Sequence, residues 1–356
     1  MTREEAVTRA KTQATNTDET CVADKDGRGN WFVRRITKTR RARKRLTAVD
    51  RRVNGKTQAY RFTRRAEDAL DNRNARARLA KYELALFGEA PEKRVPIEGD
   101  HKIAVLSDLQ IPFEDPEALD QALDVIETYN PDLVVLNGDV VDCYAESAFL
   151  KDFDKARAAI PQEHERVATL LDILKDRRVI WMGGNHEDRW RRILWGATGP
   201  MSQLLLREHQ KASGRDLDLV DPVKSFEKLF RLDERHVQYY PYSHRLYFAD
   251  GNLVMTHGKY VSRHSGWSAK RTFEWLGKSC IVGHTHRLGS YLHTGDGVQH
   301  GAWENGCLCQ LEPEYADAPD WQQGFSLVRV EGPEFNVIQV PIIRRNGLPV
   351  AVYRGG

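Results

Sequence analysis

From Lys102 onward the chain alternates short apolar runs with stretches of helical periodicity. Ile103-Ala104-Val105-Leu106, Asp132 to Leu136, Arg178 to Met182, Leu253-Val254-Met255 and Ile281-Val282 are too short for helices and read as buried strands. Pro116 to Tyr129 (PEALDQALDVIETY) repeats its apolar positions at helical spacing, and a long charged helical stretch runs to Asp176. Two further strands are expected near Ser326 to Val330 and Asn336 to Val340. Strands alternating with helices predict a layered α/β fold.

Each of the first five runs leads into polar residues drawn from Asp, Asn and His. They are Ser107-Asp108-Leu109-Gln110, Asn137-Gly138-Asp139-Val140-Val141-Asp142, Gly183-Gly184-Asn185-His186-Glu187, Thr256-His257-Gly258 and Gly283-His284-Thr285-His286. In α/β sheets ligands gather beyond the carboxyl ends of the strands. Five such ends could bring Asp108, Asp139, Asn185, His257, His284 and His286 together. Carboxylate oxygens with imidazoles suit divalent metals of borderline hardness. Any one of these pieces is an ordinary turn or pair; five in order at strand ends predict a metal site.

Charge divides the chain. Residues 1–95 hold 25 Lys and Arg against 13 Asp and Glu, whereas 96–356 hold 29 against 38. Between Arg28 and Arg65 there are 15 basic residues and one acid, Asp50. A basic N-terminal region (1–95) ahead of an acidic catalytic domain (96–356) is therefore expected, with Pro91 to Asp100 as linker. Val53-Asn54-Gly55-Lys56 reads as a hairpin turn, Gln58 to Thr63 as a strand and Glu67 to Phe87 as a helix. Arg34, Arg35, Arg40, Arg41, Arg43, Lys44 and Arg45, interleaved with Trp31, Phe32, Tyr60 and Phe62, suit a phosphate backbone and stacked bases of DNA or RNA. Two other readings stand beside that one: an arm that packs on the body or on a second subunit of a homo-oligomer, and a solvated basic surface.

No run approaches eighteen apolar residues, so no membrane span is expected. The opening MTREEAVTRAKTQ has no apolar stretch of the kind a secretory leader needs. The five cysteines, Cys21, Cys143, Cys280, Cys307 and Cys309, form neither a disulfide framework nor zinc-knuckle spacing. Reduced thiols and a cytoplasmic location follow as expectations. Trp181, Trp190, Trp195, Trp267, Trp275, Trp303 and Trp321 are expected to be core or packing residues, with base stacking open to one of them.

In these residues the chain resembles the calcineurin-like metallophosphoesterase superfamily, whose blocks run D-x-H, G-D-x-x-D, G-N-H-E/D, H and G-H-x-H. The resemblance covers about 102–290 and, by continuity of strands, reaches about 345. It implies a four-layer α/β/β/α sandwich of two mixed sheets. It also implies two divalent metal ions, manganese first, with iron, zinc, magnesium or nickel as alternatives. Asp139 would bridge them, with Asp108 and His286 holding the first and Asn185, His257 and His284 the second. His286 has a second reading, as an orienting imidazole. His186 matches the histidine that sits over the phosphate and would protonate the leaving oxygen. Asp142 is either a partner to a ligand or to His186, or a loop cap. Gln110 stands where the family usually has histidine. Its amide oxygen either ligates the first ion, tilting that site toward Mn or Mg, or stays outside it.

The implied reaction is hydrolysis of a phosphate ester by a metal-bridging hydroxide. Arg189, His264 and Arg287 are candidate substrate contacts. The basic N-terminal region points to a phosphodiesterase or nuclease acting on nucleic acid or nucleotides. A phosphomonoesterase or protein phosphatase is the alternative within that chemistry. Outside it stands a nucleic-acid-binding or assembly protein with a decayed phosphoesterase body.

Overall fold

The computed structural model describes residues 20–25, 31–36, 60–62, 93–147, 153–196, 200–217, 221–295, 297–312 and 319–353. The chain divides into two units, Met1–Pro91 and Glu92–Gly356. In the first, β1 (Thr20–Lys25), β2 (Trp31–Ile36) and β3 (Tyr60–Phe62) form an antiparallel sheet in the order β2-β1-β3. Arg34 and Arg35 lie on β2. Arg40, Arg41, Arg43, Lys44 and Arg45, the Asn54-Gly55 turn and the expected helix over Glu67 to Phe87 lie outside the described residues.

The second unit holds two mixed sheets. One has the order β16-β15-β14-β5-β6-β7-β8 and the other β12-β13-β11-β10-β9-β4. In the first, β5 (His101–Leu106), β6 (Leu133–Asn137), β7 (Arg178–Met182) and β8 (Gln238–Tyr240) run parallel. β14 (Gly324–Glu331) pairs antiparallel with β5, and β15 (Glu334–Arg345) and β16 (Leu348–Ala351) follow it outward, each antiparallel to the one before. In the second sheet β10 (Leu253–Thr256), β11 (Ser279–Val282) and β13 (Val298–Asn305) are parallel neighbours. The antiparallel β9 (Arg245–Phe248) and β12 (Leu288–Gly295) flank them. Arg94–Pro96, expected as linker, is instead the edge strand β4, parallel to β9. Its proline is tolerated there because an edge strand leaves one row of N–H groups unpaired.

The alternation of side chains along β5 shows the layering. Ile103 and Val105 point between the sheets, where they pack with Leu133, Val135, Ile180 and Met182 against Leu246, Phe248, Met255 and Ile281. Ala104 and Leu106 point the other way, into a cluster with the helices. α1 (Pro116–Tyr129) supplies Ala118, Ala122, Val125 and Ile126 to that cluster. It starts cleanly because Asp115 caps the Ala118 N–H at 3.2 Å and Pro116 follows. α2 (Phe153–Ile173) and α5 (Pro222–Leu229) complete the layer with Val167, Leu170, Leu171, Phe226 and Leu229. On the outer face of the second sheet, Val254, Cys280 and Ala302 pack against Ala269 of α6 (Trp267–Leu276). The result is the expected four-layer α/β/β/α sandwich of two mixed sheets.

α3 (Glu187–Gly196) and α4 (Pro200–Ser213) fill the stretch between β7 and α5. Trp181 and Trp190 are fully buried core residues, whereas Trp267, 56% exposed, and Trp275, 47% exposed, lie outside the core. Both exposed rings sit on α6, which presents only Ser268, Ala269 and Thr272 as buried residues. Cys143, Cys280, Cys307 and Cys309 are free thiols and all buried. Among the described residues no helix is long and apolar enough to cross a membrane.

Candidate metal centre

Five strands, β5, β6 and β7 of one sheet and β10 and β11 of the other, end at the same rim. Asp108 follows β5, Asp139 follows β6, Asn185 and His186 follow β7, His257 follows β10, and His284 and His286 follow β11. The loops are drawn together by backbone bonds: Asp108 N–H to Gly138 O at 3.0 Å and Gln110 N–H to Asp139 O at 2.9 Å. Asp108, Gln110, Asp139, His284 and His286 all adopt left-handed backbone, with φ of 55°, 53°, 50°, 71° and 57°. Such residues cost energy and persist where the surroundings fix them, most often at functional sites. Gly138 and Gly184 are needed for the close approach. A Cβ at Gly138 would meet the His257 ring, and one at Gly184 would meet the Asp139 carboxylate.

The donors form two adjoining groups. In one, His286 Nε2 lies 3.2 Å from Asp108 Oδ1 and 3.0 Å from the Gln110 amide nitrogen. The amide presents its NH2 there; a half-turn about its last torsion presents the oxygen to the same place. In the other, His257 Nε2 lies 3.2 Å from Asp139 Oδ2 and 3.2 Å from Asn185 Oδ1. One donor atom each from Asp139, His257 and His284 lie within 4.8 Å of one another. His257 Nδ1–H donates to Asn137 O at 2.9 Å, so Nε2 is the ring atom that faces the carboxylate and would give its lone pair to a cation.

The electrostatics ask for positive charge. Burial pushes the Asp139 carboxyl up, but the His186 and His257 imidazoles outweigh it and hold the group below the usual carboxylate range. Burial opposes protonation of His257, yet the Asp139 and Asp108 carboxylates push it up to about 10. His286, also opposed by burial, is carried to about 10 by Cys309 and Asp108. Burial and the neighbouring His257 lower His284 to about 4. Protons held by imidazoles against buried carboxylates occupy the place that a cation fills in a metal site, and this donor set of carboxylate, imidazole and amide fits divalent metals.

His186 sits beside these groups. Its Nδ1 donates to Asp142 O at 2.9 Å, and its Nε2 lies 3.6 Å from Asp139 Oδ2. Its backbone N–H donates to Asp139 Oδ1 at 2.9 Å. Arg189 donates to Asp142 O at 2.7 Å and lies 3.0 Å from His186 Nε2. The Asp142 carboxylate faces His186 Nδ1 at 3.4 Å. The other two expected substrate contacts stand differently. Arg287 spends its guanidinium on Ser262 O at 2.6 Å and Asp320 O at 3.0 Å, while the His264 ring packs on Trp267.

Several residues that build the site carried no role in the sequence reading. The buried Glu187 carboxylate accepts from the backbone N–H groups of Gly184 (2.7 Å), Asp139 (3.0 Å) and Val140 (2.8 Å) and so pins the β6 and β7 loops to each other. Its only sequence signal is its place in the Gly184–Glu187 block. Glu304 accepts from the N–H groups of Gly266 and Ser268 at the start of α6. Trp321 packs its ring 4.1 Å from that of His286, and Cys309 Sγ lies 3.7 Å from His286 Nδ1. Nothing in local periodicity marks these.

A two-sheet sandwich with carboxylates, imidazoles and amides gathered at its strand ends is the build of a metal-dependent hydrolase. The calcineurin-like phosphoesterase profile matches residues 101–288. The chain is 31% identical over 260 residues to the gene 54 protein of Mycobacterium phage L5, spanning 68% of this chain and 94% of that one. It is 30% identical, with the same coverage, to the gene 54 protein of Mycobacterium phage D29. Among solved structures, vacuolar protein sorting 29 from Cryptosporidium parvum aligns at a TM-score of 0.37 and 15% identity, over 72% of this chain and 97% of that one. The chain belongs to the calcineurin-like phosphoesterase family, whose members are hydrolases that use divalent metals.

Proposed function

We propose that this chain is a phosphodiesterase acting on nucleic acid or nucleotides, with a dinuclear centre that prefers manganese. Asp108, Gln110 and His286 would hold one cation, Asn185, His257 and His284 the other, and Asp139 both. The observation that carries the reading is the division of the donors into two groups joined through the 108–110 and 138–139 backbone. Bound there, two divalent cations would neutralise the phosphoryl oxygens and lower the pKa of a water between them to near neutrality. His186 lies where it can give a proton to the leaving oxygen, and the Asp142 carbonyl holds its ring in place. Arg189 would meet a phosphoryl oxygen in this reading, and in doing so it would leave His186 Nε2 free. A decayed body is disfavoured, because every donor of the set other than the usual histidine at 110 is present.

Gln110→His tests the first position. An imidazole nitrogen there should bind a borderline cation more firmly than an amide oxygen does. We expect the variant to retain about two Mn per chain after a dialysis that leaves the wild type nearer one. Metal analysis giving no more than one ion in both proteins, even in excess Mn, contradicts the dinuclear reading.

Two features support a nucleic-acid substrate. The segment from Arg28 to Arg65 is dense in cations. Beyond His257, the exposed Trp267 and Trp275 stand with cations on their faces: Lys259 Nζ lies 3.7 Å from the Trp275 centroid and Lys270 Nζ 5.7 Å from that of Trp267. Exposed aromatics among cations bind bases by stacking and phosphates by charge. The test is a chain beginning at Glu92, since a cut at Val95 would remove Arg94, the first residue of β4. With Mn, it should hydrolyse bis-p-nitrophenyl phosphate at the full-length rate. It should lose salt-dependent DNA or RNA binding, whose log K falls by about 0.9 per phosphate neutralised for each tenfold rise in salt. Equal nucleic-acid affinity in both chains contradicts tethering by the basic region. A change of oligomer mass on truncation would instead favour the subunit-docking arm.

A further inference from the structure

A second group of potential ligands lies away from the strand-end rim, between the turn that follows Asp142 and two helices. It comprises Cys143, Glu146 in the short helical turn Tyr144–Glu146, and Glu163 in the middle of α2. Cys143 Sγ and one carboxylate oxygen from each glutamate lie within 4.8 Å of one another, and all three residues are buried. His209 of α4 adjoins them, its Nε2 2.7 Å from Glu146 Oε1. Cys143 is held in left-handed backbone, φ 48°, in a residue type that rarely adopts it.

The protein alone leaves this cluster short of partners. Among the described residues, Glu146 Oε2 and Glu163 Oε2 have no hydrogen-bond partner. Glu163 is completely buried, and among the described residues its other oxygen receives the Tyr144 N–H alone, at 3.3 Å. His209 pairs with Glu146, and among the described residues no Lys, Arg or His is ion-paired with Glu163. Two buried carboxylates around a thiol are costly unless something positive sits among them. Burial, then the charges of Glu146 and Asp142, push the Glu163 carboxyl well up, and burial, then Glu163 and Glu146, do the same to the Cys143 thiol.

We infer that Cys143, Glu146 and Glu163, with His209 as fourth ligand or as the group orienting Glu146, form a structural site for a divalent cation of the zinc class. Sulfur, carboxylate oxygen and imidazole nitrogen are each donors that zinc takes, and four of them, all buried, would close a tetrahedral site. The consequence for the catalytic rim is positional. The cation would tie the Asp142–Glu146 segment to α2, and Asp142 O is the acceptor that orients both His186 and Arg189.

Cobalt(II), added to the metal-stripped full-length protein, is the probe. Wild type should show thiolate-to-cobalt charge-transfer absorption. Cys143→Ser should lose that band and one bound cobalt per chain. The Cys307→Ser, Cys309→Ser double variant should keep it, although those thiols lie near His286. Glu163→Gln, which keeps the side-chain shape, should also bind one cobalt fewer, and zinc should raise its melting temperature less than it raises that of wild type. Asp139→Asn should retain the band, so the site stands or falls apart from the dinuclear centre. Absence of the band in wild type, its survival in Cys143→Ser, or an unchanged cobalt count in Glu163→Gln would overturn the assignment.

Discussion

Asp139→Asn should remove bound metal and activity together, and no other single replacement should cost as much. The Asp139 carboxylate faces both His257, at 3.2 Å, and His186, at 3.6 Å, and its backbone is tied to the loop that carries Asp108 and Gln110. An amide in its place keeps the shape and can still accept the His186 N–H through Oδ1, so the fold should survive. What it loses is the negative charge that would face a cation from each side. We expect kcat/KM with Mn to fall roughly 10⁴-fold or more, about 5.4 kcal/mol of lost transition-state stabilisation. Ligand-linked stabilisation supplies a second readout, because a cation that binds only the folded state raises Tm. Mn should raise the melting temperature of the wild type and leave that of Asp139→Asn almost unmoved. A variant that keeps two Mn per chain and most of its turnover would show that Asp139 is not the shared ligand.

The apolar runs of 103–106, 132–136 and 178–182 were legible as strands because a strand buried on both faces carries hydrophobic side chains on both. The helix over Pro116 to Tyr129 was legible because its cap, its proline and its apolar spacing agree. The hairpin of β12 and β13 was not: Leu292 is 73% and Val298 51% exposed, so neither alternation nor a continuous apolar run marks it. α4 and α5 carried signals that went unread: α5 opens on an Asp221 cap and Pro222 and sets Val223, Phe226 and Leu229 at helical spacing, and α4 carries Leu204, Leu205 and Leu206. At the rim the polar residues at strand ends announced themselves by repetition. Their anchors did not. Glu187 holds the Asp139 and Val140 N–H groups, 48 and 47 residues away along the chain, and such a contact has no local signature. The cluster of Cys143, Glu146, Glu163 and His209 is similar. Its members come from a turn and two helices, and only folding places them together.

His186→Ala should separate chemistry from metal binding. The ring is oriented by Asp142 O and faces the Asp139 carboxylate without belonging to either group of donors. Burial opposes its protonation, but the charges of Asp139 and Asp142 overcome that and raise its pKa, which favours the form able to donate a proton. Removing the ring should leave both cations in place and lower kcat by about 10²–10⁴-fold if it acts as a general acid. The pH profile gives the sign. A group that must be protonated loses its effect as pH rises through its pKa, so the wild-type kcat should fall on the alkaline side and the alanine variant should lack that limb. The effect should also depend on the leaving group. A good leaving group such as p-nitrophenolate needs little protonation, so His186→Ala should slow bis-p-nitrophenyl phosphate far less than a nucleic-acid linkage, whose departing alkoxide does need a proton. Loss of metal from His186→Ala would make the ring a ligand, and an equal loss of rate on both substrates would leave it a positioning residue.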